Sequence, residues 1–236
     1  MELNKEQLKA VTTTANKVVV IAAPAVGKTR VLTERIKWLL DNGVDPYKIV
    51  AITFTNAAAI EMRKRIGDYP SLFIGTVHAY CNRLLLMSGY DTSKLIQEEN
   101  FDEFFEIIKK RPQAIKEVDY LLLDEGQDST ENELYFMLDM VQPKNYMIFF
   151  DVKQELFSFR GANPARLLEL TQDWDVMTYD LNKNYRNGSK ILSFAKDIIK
   201  KNNLLYSPET CCFVPQEINA LLIKGKRRRG KLPIGL

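Results

Sequence analysis

The segment AAPAVGKTR (residues 22–30) constrains the fold of this chain more than any other stretch. It follows the β-branched run KVVVIAA (residues 17–23), which is typical of a buried strand, and it leads into a stretch with helical spacing. A strand, a loop ending in Gly-Lys-Thr and a helix form a context in which backbone N–H groups bind phosphate oxygens. Lys28 would bring a positive charge to the outer phosphates, and the Thr29 hydroxyl would ligate a magnesium ion. The alternative is a plain strand-to-helix turn that carries a surface lysine.

This loop contains a single glycine, Gly27, where phosphate-binding loops usually contain several. Pro24 lacks an N–H group but fits an early position in the loop. Ala25 is the demanding position, because such loops often need a positive φ there. A residue with a Cβ adopts that conformation at a cost of about 1–2 kcal/mol. We therefore expect phosphate binding that is weakened by Ala25 but not abolished.

Strands and helices alternate along most of the chain. The predicted strands cover residues 17–23, 48–54, 71–76, 119–125, 145–151 and 175–181. The predicted helices cover residues 28–43, 57–67, 77–87, 101–110, 131–141, 164–172 and 189–203. This alternation predicts an α/β fold in which a mostly parallel sheet carries helices on both faces.

A second chemical signal is the segment LLLDEGQD (residues 121–128), an apolar strand that ends in two carboxylates. In a doubly wound sheet, ligands bind beyond the carboxyl ends of the strands. Asp124 is therefore placed to hold the magnesium ion, directly or through water, and Glu125 is placed to polarise an attacking water. A strand followed by an acidic helix cap is the alternative, which the phosphate-loop pattern upstream disfavours.

The composition excludes several classes of protein. Of the 236 residues, 46% are hydrophobic and 27% are charged, as in an ordinary globular domain. No apolar run reaches the roughly 18 residues of a membrane helix, and the N-terminus is charged where a signal peptide needs an apolar core. Cys81, Cys211 and Cys212 do not suit a disulfide framework, and the single histidine, His78, excludes a multi-histidine metal site. We expect a cytoplasmic protein, bacterial or phage-encoded, without a membrane partner.

The net charge of +3 conceals an asymmetry. The last thirteen residues, KGKRRRGKLPIGL (residues 224–236), contain six Lys or Arg and no acid, so the rest of the chain carries a net charge of −3. Such a run is a candidate nucleic-acid arm. A solvated tail without a partner is the alternative.

Seven segments together give the sequence a specific resemblance to the UvrD/Rep family of superfamily 1 DNA helicases. In chain order they resemble the glutamine motif (LNKEQLKAV, 3–11), the Walker A motif (AAPAVGKTR, 22–30), motif Ia (ITFTNAAAIEMRKRI, 52–66), motif Ib (GTVHAYC, 75–81), motif II (LLLDEGQDS, 121–129), motif III (FFDVKQELFSFRGA, 149–162) and motif IV (LNKNYRNGSKIL, 181–192). The resemblance implies a RecA-like P-loop NTPase fold and an ATP-dependent DNA helicase activity.

The resemblance also implies which residues bind ATP and Mg²⁺. Gln7 would read the adenine edge, Arg30 would lie near the base or sugar, and Tyr185 would stack on the adenine. The metal ligands would be Thr29 and Asp124. The loop residues that bind the phosphates would be Ala22, Ala23, Pro24, Ala25, Val26, Gly27, Lys28 and Thr29. The catalytic residues would be Lys28, Asp124, Glu125, Gln154 and Arg186, the last two at the γ-phosphate.

A site for single-stranded DNA, or for a tailed duplex, is implied in the same way. Its residues would be Phe54, Thr55, Asn56, Thr76, His78, Phe157, Phe159 and Arg160. These residue types fit, because single-stranded DNA is held through its backbone and through bases stacked on aromatic faces. Core packing is the alternative for Phe157 and Phe159, which point the same way if their segment is extended.

Three departures from the family pattern bear on the activity. The loop is poor in glycine, motif III matches only at Asp151 and Gln154, and we find no motifs V and VI. We therefore expect a RecA-like motor domain over residues 1–178 with a small insertion at about 88–117, and an incomplete second RecA-like domain over 179–223. On this interpretation a separate chain is a candidate source of the missing second motor domain. The alternative is a truncated, non-translocating module that binds nucleotide and DNA without unwinding.

Overall fold

One parallel sheet organises the computed structural model, which describes residues 2–23, 25–151 and 165–185. In these ranges six strands form the order β3-β2-β4-β5-β1-β6. They are β1 (Lys17–Ala22), β2 (Ile49–Ile52), β3 (Phe73–Gly75), β4 (Tyr120–Leu123), β5 (Asn145–Phe150) and β6 (Met177–Leu181). Each lies inside its predicted range. The predicted α/β fold is confirmed, and the arrangement fits the RecA-like type.

The helices flank the strands. Within the described ranges they are α1 (Lys5–Thr12), α2 (Lys28–Asp41), α3 (Asn56–Ile66), α4 (Val77–Met87), α5 (Ser93–Gln97), α6 (Glu103–Lys110), α7 (Glu131–Tyr135) and α8 (Ala165–Gln172). The helix predicted over 131–141 is α-helical only in α7 and continues as a π-helical segment, Phe136–Met140. The helix predicted over 189–203 lies outside the described residues.

Strand side chains alternate between two apolar layers, one on each face of the sheet. The first layer packs β-strand residues against α4, α6, α7 and α8, and contains Val19, Ile52, Leu121, Leu123, Ile148 and Phe150. The second packs them against α1, α2 and α3, and contains Val18, Val20, Ala51, Leu122 and Phe149. Because both faces are covered, the strands read as nearly continuous apolar runs.

The strand order determines where a ligand site can form. The chain leaves β1 for β2 and β3 on one side, and it later adds β6 on the other side of β1. Loops that diverge in this way leave a crevice beyond the carboxyl ends of the strands. The carboxyl ends of β4, β5 and β1 are adjacent there, so the loop after β1 and the acids after β4 meet at one edge.

The segment expected as a small insertion, residues 88–117, contains α5 and α6. Helix α6 places Phe104, Phe105 and Ile108 in the first apolar layer. In the described structure this segment is therefore packed into the domain against α4.

The sheet extends slightly beyond the expected end of the first domain at residue 178. Strand β6 pairs with β1 from Met177 to Leu181. The start of a second domain stays a prediction, because residues 186–236 lie outside the described residues. Among the described helices none has the length and apolar character needed to cross a membrane.

The packing of α6 generates a first prediction. Phe104 is 1% exposed and Phe101, in the same segment, is 40% exposed. Phe104→Ala should lower the free energy of unfolding by about 3–5 kcal/mol, because it leaves a cavity in the first apolar layer. Phe101→Ala is the matched control and should cost less than half as much. Urea denaturation followed by circular dichroism measures both, and equal losses would contradict this packing of the insertion.

Candidate nucleotide and DNA site

The loop between β1 and α2 has the geometry of an anion-binding turn. Gly27 is the N-cap residue of α2 and is left-handed, with a φ of 85°. A Cβ at this position would also lie 3.2 Å from the Gln7 side-chain nitrogen, so the site requires glycine. The first backbone N–H groups of α2 therefore point out of the helix at the end of β1.

Ala25 adopts the conformation that the sequence argument requires, with a φ of 65°. An alanine there stores strain of about 1–2 kcal/mol. Two backbone acceptors of the loop are tied to other segments: the Ala25 carbonyl accepts from the Tyr185 N–H at 2.9 Å, and the Val26 carbonyl accepts from Gln7 Nε2 at 3.0 Å. These contacts hold the strained loop in place. Pro24 lies outside the described residues.

An ion pair joins the loop to the acids that follow β4. Lys28 Nζ lies 2.6 Å from Glu125 Oε2, and the lysine side chain is only 8% exposed. Glu125 is itself left-handed, with a φ of 52°. The same carboxylate oxygen accepts from Gln127 Nε2 at 2.8 Å, and Gln127 Oε1 accepts from the Asp151 N–H at 3.0 Å. One chain of polar contacts therefore links the ends of β1, β4 and β5.

Asp124 lies beneath this ion pair and is 4% exposed. Burial, reinforced by the neighbouring Glu125 carboxylate, raises the pKa of Asp124 to about 7. Lys28, the Glu125 N–H and a hydrogen bond with Thr29 oppose this shift. Burial and Glu125 also raise the pKa of Asp128 to about 6. A buried, poorly compensated carboxylate beside a threonine hydroxyl is a donor set that a hard cation would satisfy.

The described structure thus brings four of the predicted catalytic and metal residues to one edge of the sheet. These are Lys28, Thr29, Asp124 and Glu125. Of the predicted phosphate-binding residues, Ala22 ends β1, and Ala23, Ala25, Val26 and Gly27 lie in the turn between β1 and α2. Arg30 lies in the first turn of α2. Gln154 and Arg186 lie outside the described residues.

The glutamine motif is folded as the capped start of α1, which the sequence reasoning did not predict. Asn4 Oδ1 accepts from the Gln7 N–H at 2.8 Å, and the Gln7 side chain accepts from the Asn4 N–H at 3.0 Å. Asn4 Nδ2 donates to the Tyr185 hydroxyl at 2.7 Å. The Asn-x-x-Gln spacing is the signal that could have revealed this capping box. Gln7 is 2% exposed, so its visible role is to shape the loop.

The predicted DNA residues of motifs Ia and Ib meet in one cleft of about 760 Å³ at the carboxyl ends of β2, β3 and β4. Phe54, Asn56, Thr76 and His78 line it together with Asp124 and Glu125. Thr55 is the N-cap of α3, beside the cleft, and its hydroxyl accepts from the Ala58 N–H at 3.2 Å. Phe157, Phe159 and Arg160 lie outside the described residues.

Several cleft residues were missed by the sequence reasoning. They are Phe101 and Asp102 from the segment expected as an insertion, Asp128 near the end of motif II, and Glu133 in α7. His78 lies 5.5 Å from the rings of Phe101 and Phe105, and its Nε2 lies 4.0 Å from Glu133 Oε1. No local spacing signals these contacts, because each joins segments that are distant in the chain.

Comparison with known proteins agrees with this geometry. The sequence model of the family described as UvrD/REP helicase N-terminal domain matches residues 3–116 and 105–175 of this chain. This chain belongs to that family. The resemblance inferred from the seven motifs is thereby confirmed at the level of the family.

Three curated relatives illustrate the extent of the similarity. The ATP-dependent DNA helicase PcrA of Leuconostoc citreum is 27% identical over 295 residues, covering 85% of this chain and 39% of the relative. DNA helicase II of Escherichia coli is 27% identical over 293 residues, covering 85% of this chain and 41% of the relative. PcrA of Staphylococcus aureus is 43% identical over 105 residues, covering 42% of this chain and 14% of the relative. This chain therefore spans about two fifths of the length of the first two relatives.

The first alignment is longer than the chain itself, with 295 positions against 236 residues. The relative therefore carries internal segments that have no counterpart in this UvrD/REP-family chain.

Relieving the strain at Ala25 is a direct test of the loop. We expect Ala25→Gly to bind ATP as well as the wild type or better. The variant should also gain up to about 1 kcal/mol in unfolding free energy, since the relieved strain exceeds the added freedom of the unfolded chain. Titration with ATP and urea denaturation measure the two effects. Ala23→Gly is the matched control, because the φ of Ala23 is not positive, and it should lose about 0.5–1 kcal/mol. Clearly weaker ATP binding by Ala25→Gly would overturn the argument from strain.

The raised pKa of Asp124 predicts a pH dependence of stability. Between the unfolded pKa of about 4 and the folded pKa of about 7, the folded chain binds more protons than the unfolded chain at this residue. Its contribution to stability therefore falls as the pH rises through that window.

Asp124→Asn should remove this loss, so the variant should gain stability over the wild type as the pH rises from about 4 to about 7. Urea denaturation in EDTA at several pH values measures the difference. A difference that stays constant with pH would contradict the effect of burial on the Asp124 carboxylate.

Proposed function

We propose that this chain binds ATP with Mg²⁺ between β1 and α2, binds single-stranded DNA at the adjacent cleft, and hydrolyses ATP as the motor of a DNA helicase. The observation that carries the proposal is the 2.6 Å contact between Lys28 and Glu125. It joins the phosphate loop to the acids of motif II at the edge where the DNA motifs also converge. Relatives described as ATP-dependent DNA helicases support the same activity.

Lys28 and Glu125 have complementary roles in this proposal. Without nucleotide, each neutralises the other. The outer phosphates of ATP compete for Lys28, because an ammonium group close to a triphosphate neutralises more charge than it does beside one carboxylate. Glu125 is then released to orient a water molecule and accept its proton.

The residues fit a magnesium ion. Mg²⁺ is usually held in nucleotide sites by one or two protein oxygens plus phosphate oxygens and waters. The Thr29 hydroxyl and the buried Asp124 carboxylate, which are hydrogen-bonded to each other, supply such a pair. When bound, the ion would neutralise charge on the phosphates. Within the described ranges there is no group of three or more His, Cys, Asp or Glu side chains that could hold a metal ion by themselves.

Tyr185 is the proposed platform for the adenine. Its ring is 37% exposed, its hydroxyl accepts from Asn4, and its N–H binds the Ala25 carbonyl. The ring is therefore held beside the phosphate loop, with Lys183 Nζ 5.4 Å from its centroid. Gln7 retains one N–H and one lone pair beyond its described contacts, and these can meet the base edge if α1 shifts slightly.

The DNA backbone is proposed to lie along the starts of α3 and α4. Both helices have eleven residues, and both are capped by a threonine, Thr55 and Thr76. Each hydroxyl accepts from a helix N–H, so its own proton remains to donate to a phosphate. Helix N-termini also attract phosphate through their exposed N–H groups. Asn56 adds an exposed amide at the same rim.

ATP turnover separates the residue roles. We expect Lys28→Ala to lose ATP binding, since the outer phosphates lose their cation. Glu125→Gln should keep binding but lose roughly 100-fold or more in rate, since a general base contributes about that much. Phosphate release with and without single-stranded DNA, together with ATP titration, measures both.

Lys17→Ala is the matched control for the lysine. Lys17 lies at the opposite end of β1 in an exposed ion pair with Asp175, so both binding and rate should be retained. If the wild type binds ATP and DNA without turnover, the alternative of a non-translocating module is correct. If it binds no ATP, the proposal is wrong.

A further inference from the structure

The cleft beside the nucleotide site has an aromatic wall that the insertion supplies. Phe104 and Phe105 are buried, and Phe101 is 40% exposed. The Phe101 ring stacks on the Phe104 ring, with 6.2 Å between the ring centroids. His78 lies 5.5 Å from Phe101 and is one-third exposed. The exposed Phe101 ring and the partly exposed His78 ring therefore form a tilted aromatic pair that packs on the buried Phe104 and Phe105.

The backbone before Phe101 is bent to present this ring. Glu99 is left-handed, with a φ of 51°. The Phe101 N–H donates to the Glu99 carbonyl at 3.1 Å, so the chain turns sharply between α5 and α6. This strained turn places the Phe101 ring in the lining of the cleft.

The charges in the cleft exclude a phosphate from its interior. Six carboxylates line it: Glu99, Asp102, Asp124, Glu125, Asp128 and Glu133. Among the described lining residues there is no lysine or arginine. A phosphodiester would be repelled there, whereas the capped starts of α3 and α4 at the rim suit it. The interior suits a flat, uncharged group that donates hydrogen bonds.

We infer that the cleft takes a nucleobase of single-stranded DNA, stacked on Phe101, with a preference for bases that carry an exocyclic amino group. This inference rests on the proposed DNA binding and adds a stacking residue and a base preference to it. Carboxylates accept from the amino groups of cytosine and adenine, and they repel the two carbonyl oxygens of thymine. Stacking on an aromatic side chain supplies affinity for any base. The volume of about 760 Å³ lies in the range of small-ligand pockets.

The experiment compares oligo-dC with oligo-dT of equal length by fluorescence anisotropy at about pH 8, where cytosine is neutral. The wild type should bind oligo-dC about fivefold more tightly, which corresponds to about one net hydrogen bond. Phe101→Ala should weaken binding of both oligomers roughly fivefold or more, and Phe101→Trp should restore it. Trp174→Ala is the matched control, since Trp174 is 94% exposed at the amino edge of the sheet; it should change neither affinity.

The base preference has its own variant. Glu99→Gln with Asp102→Asn should bring the affinities for the two oligomers together, because it removes two acceptor charges while keeping the ring. Circular dichroism confirms that each variant is folded.

The outcomes separate this inference from the proposed function. If the wild type binds neither oligomer, the proposed DNA site fails. If it binds both equally and Phe101→Ala matches the wild type, DNA binding stands and the nucleobase cleft is wrong. An arginine-rich peptide is tested in parallel. If the wild type binds this peptide, the Glu99→Gln, Asp102→Asn variant does not, and Phe101→Ala leaves DNA binding intact, then the cleft binds a basic peptide and the inference is wrong.

Discussion

The ion pair between Lys28 and Glu125 is the contact on which the geometry of this site depends. It closes a loop that is poorly supplied with glycine against the end of β4, and it partly compensates a lysine that is only 8% exposed. Burial raises the pKa values of Asp124 and Asp128, the Glu125 carboxylate raises both further, and Lys28 opposes both shifts. This cluster of acidic side chains around the buried Asp124 carboxylate fits the proposed magnesium ion. A bound cation would offset the cost of burying the Asp124 carboxylate.

Strain is located on both sides of that contact. Ala25 and Glu125 are left-handed residues with a Cβ, each costing about 1–2 kcal/mol. Such conformations persist only where the surroundings over-determine them. Here the surroundings are the capping box of α1, the Tyr185 N–H and the Gln127 amide. The glutamine motif therefore supports the phosphate loop structurally, in addition to any contact with a base.

The sequence predicts the sheet and the nucleotide edge well, because both depend on local patterns. Buried strands are recognisable as apolar runs, Asp124 directly follows β4, and Lys28 begins α2 after the loop that follows β1. Helix α1 was not predicted because it is short and largely polar, although the Asn-x-x-Gln spacing of its capping box is a recognisable signal. The order of the strands, the packing of His78 against Phe101, and the acidity of the cleft could not be predicted. Each of these features depends on contacts between segments that are distant in the sequence. The periodicity of apolar residues predicts local elements and carries no information about such long-range contacts.

The candidate nucleotide site and the cleft share two residues, Asp124 and Glu125, so a change at one site acts directly on the other. Asp124 and Glu125 follow β4, and both line the cleft as well as the phosphate loop. Any rearrangement that separates Glu125 from Lys28 alters the charge and shape of the cleft directly, without a relay through distant residues. Gln127 extends the same contact to the backbone of Asp151, at the start of the segment that motif III occupies. If the proposed function holds, a base in the cleft and a phosphate on the loop would act on the same left-handed glutamate, Glu125, and by linkage each would change the affinity for the other.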